Sequence, residues 1–324
     1  MIRSMIHQYI EEVTPSGFNF IDFGSSGTLD SKWCSIKDLI NLIGFDPNVE
    51  ECKRQNELPS EYRSSLFLPY AVHGEDGKEI LYKTRNKYCY SLLKPNKVWL
   101  DRFSFHNLFD VLEEESIFVK GIGCIDEVID FGPDIIKIDV QGVELPILRK
   151  SKLLLDSVFY VETESGFTEN YINETTFSQL DEFMRSNGFL MFDLNINHRI
   201  SRNNIFQKTP TGKEQILWAE AVWLKDYVAL EEKGKLSCDS LSKLKVKKVL
   251  ILCAVQGCYD FGFELAEFFC KKGFLSKNEL EGLLKLESWQ IREMNKNNVI
   301  VNNEERKTLW YLISEYFKKV KEKL

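Results

Sequence analysis

The feature that most restricts this chain is a series of short, apolar stretches that each end on an acid or a glycine-bearing turn. They are FNFIDF (18–23) before GSSG, the run 42–45 closed by Asp46-Pro47, the run 66–72 closed by His73-Gly74, DIIKIDV (134–140) and SVFYVE (157–162). Stretches of this length without polar alternation read as strands buried on both faces, which a parallel sheet covered by helices demands. Helical signals fall among them. Residues 146–155 have helical spacing, and Thr176 with Gln179 forms a capping box that opens a helix through Arg185, with Gly188 as its left-handed cap. Glu75-Asp76-Gly77 marks a hairpin, 116–123 adds a strand, and 189–194 and 219–224 read as the last two strands. The alternation predicts an α/β fold, doubly wound, with helices on both faces of the sheet.

Beyond residue 230 strand-length runs largely vanish. Residues 248–258 are apolar, 263–272 end at Gly273, Ser276 with Glu279 forms another capping box, and Asn303-Glu304-Glu305 opens a last, lysine-ended helix. Two domains follow: 1–230, including an N-terminal helix over 1–14, and a helical appendage over 231–324. Charge divides the same way. The first part carries 24 Lys+Arg against 35 Asp+Glu, the second 18 against 14, for a chain net of −7. An acidic balance argues against nucleic acid as a partner, because that binding needs a basic face to displace counterions. No apolar run nears the roughly 18 residues that cross a bilayer. MIRSMIHQYIEE lacks the apolar centre of a signal peptide, and the eight cysteines are scattered without a C-x-x-C pair. These features predict a cytoplasmic chain with reduced cysteines and no transmembrane segment.

Ligands of doubly wound sheets sit beyond the carboxyl ends of the strands, where strand order reverses. Asp22, Gly24, Gly27, Asp46, His73, Asp139 and Glu162 all fall at or just after predicted strand ends. The first strand runs into D-x-G-x-x-G, whose small residues let a ligand approach the backbone. The second ends in Asp46, where a carboxylate can accept both hydrogen bonds of a ribose diol. A glycine kept only for a tight turn explains the first feature alone; the two together point to a nucleoside cofactor. GSSG lacks the G-x-G-x-x-G of pyrophosphate binding, and Asp22 suits a cationic amino-acid end, as in S-adenosylmethionine. The candidate cofactor set is Asp22, Gly24, Ser25, Ser26, Gly27, Asp46, Pro47, His73 and Asp139.

In IKIDVQGVELPILRK (136–150), Lys137 and Asp139 share one strand face. Charges in an apolar central strand need a partner or a ligand. They form either an internal ion pair or a cleft-side base, Asp139, tuned by Lys137. Glu144 complements the dipole of the following helix or takes part in catalysis. Trp33, Tyr90, Ser91, Lys137 and His198 are candidate substrate contacts, Trp33 being equally suited to core packing. Glu162 and Glu164 make an E-x-E pair, so Asp139, Glu162 and waters could hold a divalent cation such as Mg²⁺.

FIDFGSSGTLD, IGFDPN, SLLKPN and above all KIDVQGVELPILRK followed by VETE resemble the FkbM family of S-adenosylmethionine-dependent methyltransferases, in order from Asn19 to Asn195. The resemblance implies a Rossmann-like class I methyltransferase sheet of seven strands, the last, 219–224, antiparallel. It implies that Asp22, Gly24 and Gly27 line the methionine end and that Asp46 holds the ribose. It also implies O-methylation of a sugar, glycan or polyketide-type hydroxyl. GSSG departs from the family's D-x-G-A-N-x-G turn. Transfer to oxygen needs a group that takes the hydroxyl proton: Asp139 first, with Glu162 and Glu144 beside it. Two other readings use the same residues. One is an NAD-dependent oxidoreductase, since Asp46 serves either nucleoside. The other is a non-catalytic assembly module, with a homo-oligomer formed through the C-terminal helices.

Overall fold

The computed structural model describes residues 10–25, 27–196, 199–204, 213–236, 241–276 and 278–280. Ser26, His198, most of the N-terminal helix and the helix expected from Asn303 lie outside these residues. The chain divides into two compact units, Ser16–Ser240 and a second made of Met1–Pro15 with Leu241–Leu324. The boundary expected at residue 230 thus falls ten residues later, and the first helix groups with the C-terminal segment. Residues 227–236 stay with the sheet unit for local reasons. Asp226 caps the helix Tyr227–Glu232, its amide bonds the Gly188 carbonyl at 2.9 Å, and Lys235 turns back onto Leu230.

The sheet unit is built on seven strands: β1 Phe18–Phe23, β2 Ile40–Phe45, β3 Ser64–Leu68, β7 Ile135–Ile138, β8 Tyr160–Gly166, β9 Phe189–Asn195 and β12 Trp218–Lys225. Their order is β3-β2-β1-β7-β8-β12-β9, with β12 running opposite to the other six; the short strands β10 Arg199–Ile200 and β11 Gln215–Ile216 pair with each other. The expected class I sheet with an antiparallel last strand is therefore present. One face is apolar: Ile21, Phe23, Ile43, Phe45, Ile136, Ile138, Val161 and Trp223 pack with Leu145, Leu148, Leu180 and Met184 from the helices Glu144–Lys150 and Phe177–Ser186. The latter helix starts with the predicted Thr176–Gln179 capping box. The helix expected over 146–155 is two, Glu144–Lys150 and Lys152–Ser157, because the Ser151 hydroxyl turns back to the Ile147 carbonyl at 2.7 Å.

The opposite face begins with aromatics. Trp33, on the single turn Ser31–Trp33, meets Phe20 and Tyr160 edge to face, each at 5.2 Å. It is 1% exposed. Trp33 is thus a core residue and not a stacking surface for substrate. The run read as one strand over 66–72 breaks at Pro69, which has no N–H for a ladder. β4 Ala71–His73 leaves the main sheet and joins a three-stranded sheet with β5 Gly77–Thr84 and β6 Val111–Gly121. His73 pairs with Gly121 there, so it does not lie at the end of a main-sheet strand as expected.

The β5–β6 connection is an insert carrying the turns Lys87–Cys89, Lys97–Leu100 and His106–Phe109. Cys89, Leu100, Phe109 and Tyr171 form its core, and Pro95 bridges to Tyr171. In the second unit, the helices Lys243–Val255 and Tyr259–Lys271 follow one another across Gly257, whose φ is +74°. The Ser276–Glu279 capping box is present, and Glu279 also pairs with Lys243 at 2.8 Å. No helix among the described residues is long and apolar enough to cross a membrane.

Trp33→Ala should lower unfolding stability by about 3–5 kcal/mol, the cost of a large cavity, measured by urea denaturation. A change within about 0.5 kcal/mol would place Trp33 on the surface instead.

Candidate active site

Strand order reverses between β1 and β7: β2 and β3 lie on one side of the pair, β8 on the other. This opens a crevice at their carboxyl ends. Asp22 pairs in register with Lys137, and the Asp139 amide bonds the Phe23 carbonyl at 2.9 Å. Gly24 follows at φ +84°, and a Cβ there would meet the Asp139 carbonyl oxygen at 1.9 Å. Only glycine lets the turn pass so close to β7. The Gly24 and Ser25 amides both bond the Phe45 carbonyl, at 2.9 and 2.8 Å, tying this turn to β2. Gly27, at φ +109°, has nothing within 4 Å of where a Cβ would stand, so the backbone is open to a ligand.

Asp22 is buried, and burial pushes its carboxyl above the ordinary range despite Lys137. Its Oδ1 lies 3.5 Å from Lys137 Nζ and has no hydrogen bond. With only that longer ion pair, the oxygen keeps capacity to accept a hydrogen bond from a donor. Asp46 is half-buried at the end of β2, with Oδ1 accepting from the Asn48 amide at 2.7 Å. Burial raises its carboxyl too. Pro47 is exposed beside it.

Lys137 reaches Asp139 Oδ2 at 3.9 Å as well as Asp22. Burial pulls its pKa down, but Asp22, Asp139 and Glu162 raise it more, so the ammonium is held charged. The internal ion pair and the cleft carboxylate are thus the same residues. The Gln141 side-chain amide donates to Asp139 Oδ1 at 2.8 Å and to Glu164 Oε2 at 2.7 Å. Burial, and then the charge of Asp139, push the Glu164 carboxyl well above the ordinary range.

Glu162, expected at the cleft, is 4% exposed and gripped by Lys32 Nζ at 2.6 Å. The Ser31–Trp33 turn that buries Trp33 also lays Lys32 over Glu162. Glu144 is 2% exposed and accepts from the Gly142 amide at 2.9 Å, so it braces the loop after Asp139 from below. Burial pushes it up to about 8. Its neighbour Glu174 accepts the Asn170 and Tyr171 amides and is pushed up to about 7 by burial. Ser91 is buried, donating to the Gln141 carbonyl at 2.6 Å, while Tyr90 is half-buried next to it. Among the described residues no three carboxylate, histidine or cysteine side chains converge as metal ligands. The donors expected to hold Mg²⁺ are engaged otherwise: Glu162 by an ammonium, Asp139 by an amide and an ammonium. They do not fit a divalent cation.

The family model described as "Methyltransferase FkbM domain" matches residues 29–191. The chain belongs to this family. It is therefore a methyltransferase, with S-adenosylmethionine as the family's methyl donor. No curated protein matches the chain. Similar solved structures include magnesium protoporphyrin IX methyltransferase from Synechocystis PCC 6803 with bound SAM, 7% identical over 69% of this chain and 78% of that one, TM-score 0.31. An rRNA methylase from Streptococcus thermophilus is 9% identical over 69% and 96%, TM-score 0.32. The plantazolicin methyltransferase BpumL in complex with SAH is 10% identical over 69% and 82%, TM-score 0.30. Likeness this slight bears on neither acceptor nor residue roles, and the fold assignment rests on the strand order and the family.

Lys32, Gln141 and Tyr171 were not singled out from the sequence, and Glu164 only as half of the E-x-E pair. Lys32 and Tyr171 reach the site from distant turns, which no local spacing reveals. Gln141 did carry a signal, as a glutamine directly before Gly142 in a strand-to-helix turn.

Glu144 gives a pH prediction. Its carboxyl ionises near 4.5 when unfolded and near 8 when folded, so the native state binds the extra proton between these values. The stability this contributes is complete below pH 4.5 and is lost as pH rises to 8. Glu144→Gln should flatten the fall in denaturation free energy across that window, by up to about 1.4 kcal/mol per pH unit. Equal slopes in parent and variant would refute the assignment.

Proposed function

We propose that this methyltransferase transfers a methyl group to a hydroxyl of a sugar, glycan or related natural-product acceptor. The observation that carries the cofactor half is the buried Asp22 carboxyl, whose Oδ1 meets only the Lys137 ammonium at 3.5 Å and has no closer hydrogen bond, on the strand that leads into the open turn at Gly27. It supports Asp22 as acceptor for the ammonium of the methionine end, with Gly24 and Gly27 keeping the backbone clear. Asp46 would take the ribose diol, and Pro47 would flank it. Ser25 is buried against Asp22 and shapes the turn. S-adenosylmethionine, when bound, supplies an electrophilic methyl on a sulfonium.

Asp139 is the proposed proton acceptor. The acceptor oxygen forms its bond to the methyl carbon as the sulfur–methyl bond breaks, and the hydroxyl proton passes to the Asp139 carboxylate. Holding oxygen and methyl in line supplies much of the rate, and a placed base adds to it. Lys137 divides its charge between Asp22 and Asp139, joining the two halves of the site. Asp139, Glu164 and Gln141 present carboxylate and amide groups of the kind that pair with sugar hydroxyls, which supports the acceptor class. Tyr90 would supply an apolar ring to the same acceptor.

Thermal-shift titration should show stabilisation by S-adenosylhomocysteine and none by NAD; the reverse would favour an oxidoreductase. Asp46→Ala should weaken cofactor binding by about 1–3 kcal/mol, read by calorimetry. With labelled S-adenosylmethionine and a glycan panel, Asp139→Asn should lower turnover while cofactor affinity is kept. Unchanged turnover would remove Asp139 as the base.

A further inference from the structure

Gln141 is the residue on which the two carboxylates of the cleft and the β5–β6 insert all converge. Its backbone sits at φ +57°, a left-handed conformation rare for a residue with a side chain. Such strain persists only where the surroundings enforce it. Here they do so at four points. Both hydrogens of the side-chain amide go to carboxylates, one to Asp139 at 2.8 Å and one to Glu164 at 2.7 Å. The remaining side-chain atom, Oε1, accepts from the Tyr171 hydroxyl at 2.9 Å. The main-chain carbonyl accepts from Ser91 at 2.6 Å.

Ser91 belongs to the insert, as does Cys89, whose carbonyl lies 3.1 Å from the same Tyr171 hydroxyl. Tyr171 is 2% exposed within the insert's own core. A displaced insert would therefore release Gln141, and a turned Gln141 would leave two carboxylates facing each other without a shared donor. Two carboxyls so placed cannot both ionise readily, and without the amide donor Glu164 would be held still further toward its protonated form.

We propose that Gln141 is a positioning residue, which locks the Asp139 and Glu164 carboxylates into one acceptor-facing pair and makes that pair depend on the seating of the insert. The proposal deepens the methyl-transfer reading and rests on it for the role of Asp139. Glu164 supplies a second carboxylate that can hydrogen-bond the acceptor while Asp139 takes the proton. The charged and titratable groups around the pair are Lys137 on β7, Asp22 on β1, Glu144 below the loop, Glu220 on β12, and Cys89 and Tyr171 from the insert side.

The test uses the full chain with Gln141→Gly, since glycine accepts the left-handed backbone without strain. Side-chain carboxyl carbons of Asp and Glu are labelled and followed by NMR against pH, with Asp139→Asn and Glu164→Gln assigning the signals. Loss of the amide donor should move the Glu164 titration to higher pH by about half a unit or more. Methyl transfer to an acceptor found in the glycan panel should fall about tenfold, with S-adenosylhomocysteine affinity within about twofold of the parent. A Gln needed only for folding would lower the melting temperature and leave the Glu164 titration in place; that result overturns the proposal. If Gln141→Gly does not fold, Tyr171→Phe, which removes the donor to Oε1, decides it by the same readout. Should the parent transfer no methyl group at all, the methyl-transfer reading fails, while the titration still shows whether Gln141 governs the pair.

Discussion

The half-buried ammonium of Lys137 organises the candidate site. Lys137 stands in the middle of a four-residue central strand whose other members, Ile135, Ile136 and Ile138, are at most 1% exposed. An unpaired charge there would be prohibitive, since desolvation of an ion costs several kcal/mol or more. Lys137 is tolerated because β1 brings Asp22 and the loop after β7 brings Asp139 to within 3.5 and 3.9 Å. Those same two carboxylates mark the two ends of the candidate site. The requirement to compensate one lysine thus places next to each other the acid proposed for the cofactor and the acid proposed for the acceptor.

The sheet divides its duties by face. Side chains of odd position on β1 and β2, with their even counterparts on β7, form the apolar core beneath the helices. The alternate positions begin with Phe20 and Tyr160 around Trp33 and turn charged toward the carboxyl edge, as Asp22, Lys137 and Glu162, then Asp139 and Glu164. The charged groups of this face gather at that edge, where the strands stop and the backbone turns supply donors. Gly24 permits this by letting the first turn touch the Asp139 backbone. Glu144, Glu174 and Glu164 show the cost: carboxyls whose ordinary pKa would make them anionic are held toward the protonated form by burial.

Much of this was legible before folding. β1, β2, β7, β8, β9 and β12 all occupy runs picked out by their apolar length, and the Thr176 capping box marks the start of its helix. Asp22, Gly24, Asp46 and Asp139 sit at strand ends as read, because strand ends are where an apolar run must yield to polar chemistry. The errors have two sources, contacts distant in sequence and a strand break at a proline. Trp33 and Lys32 lie in a turn whose placement depends on β8, 130 residues from Lys32 to Glu162. His73 was misplaced because Pro69 ends β3 and sends the chain into another sheet. Ser91 reads as a substrate contact in sequence, yet its hydroxyl donates to the Gln141 carbonyl.

By itself the sequence determined the α/β class, the strand ends and the family, through short-range pattern: apolar run length, capping residues and a turn motif. Tertiary structure alone decided which acids are covered by a cation and which are left at the edge of the crevice. Glu162 and Asp139 are indistinguishable as carboxylates at the ends of neighbouring strands. One is covered by Lys32 and the other is steered by Gln141, and both partners arrive through contacts that only the packed sheet creates. Burial and charge are properties of surroundings: Lys32 comes from 130 residues away, and Gln141, only two residues from Asp139, is itself held by Glu164, Tyr171 and Ser91 from other segments.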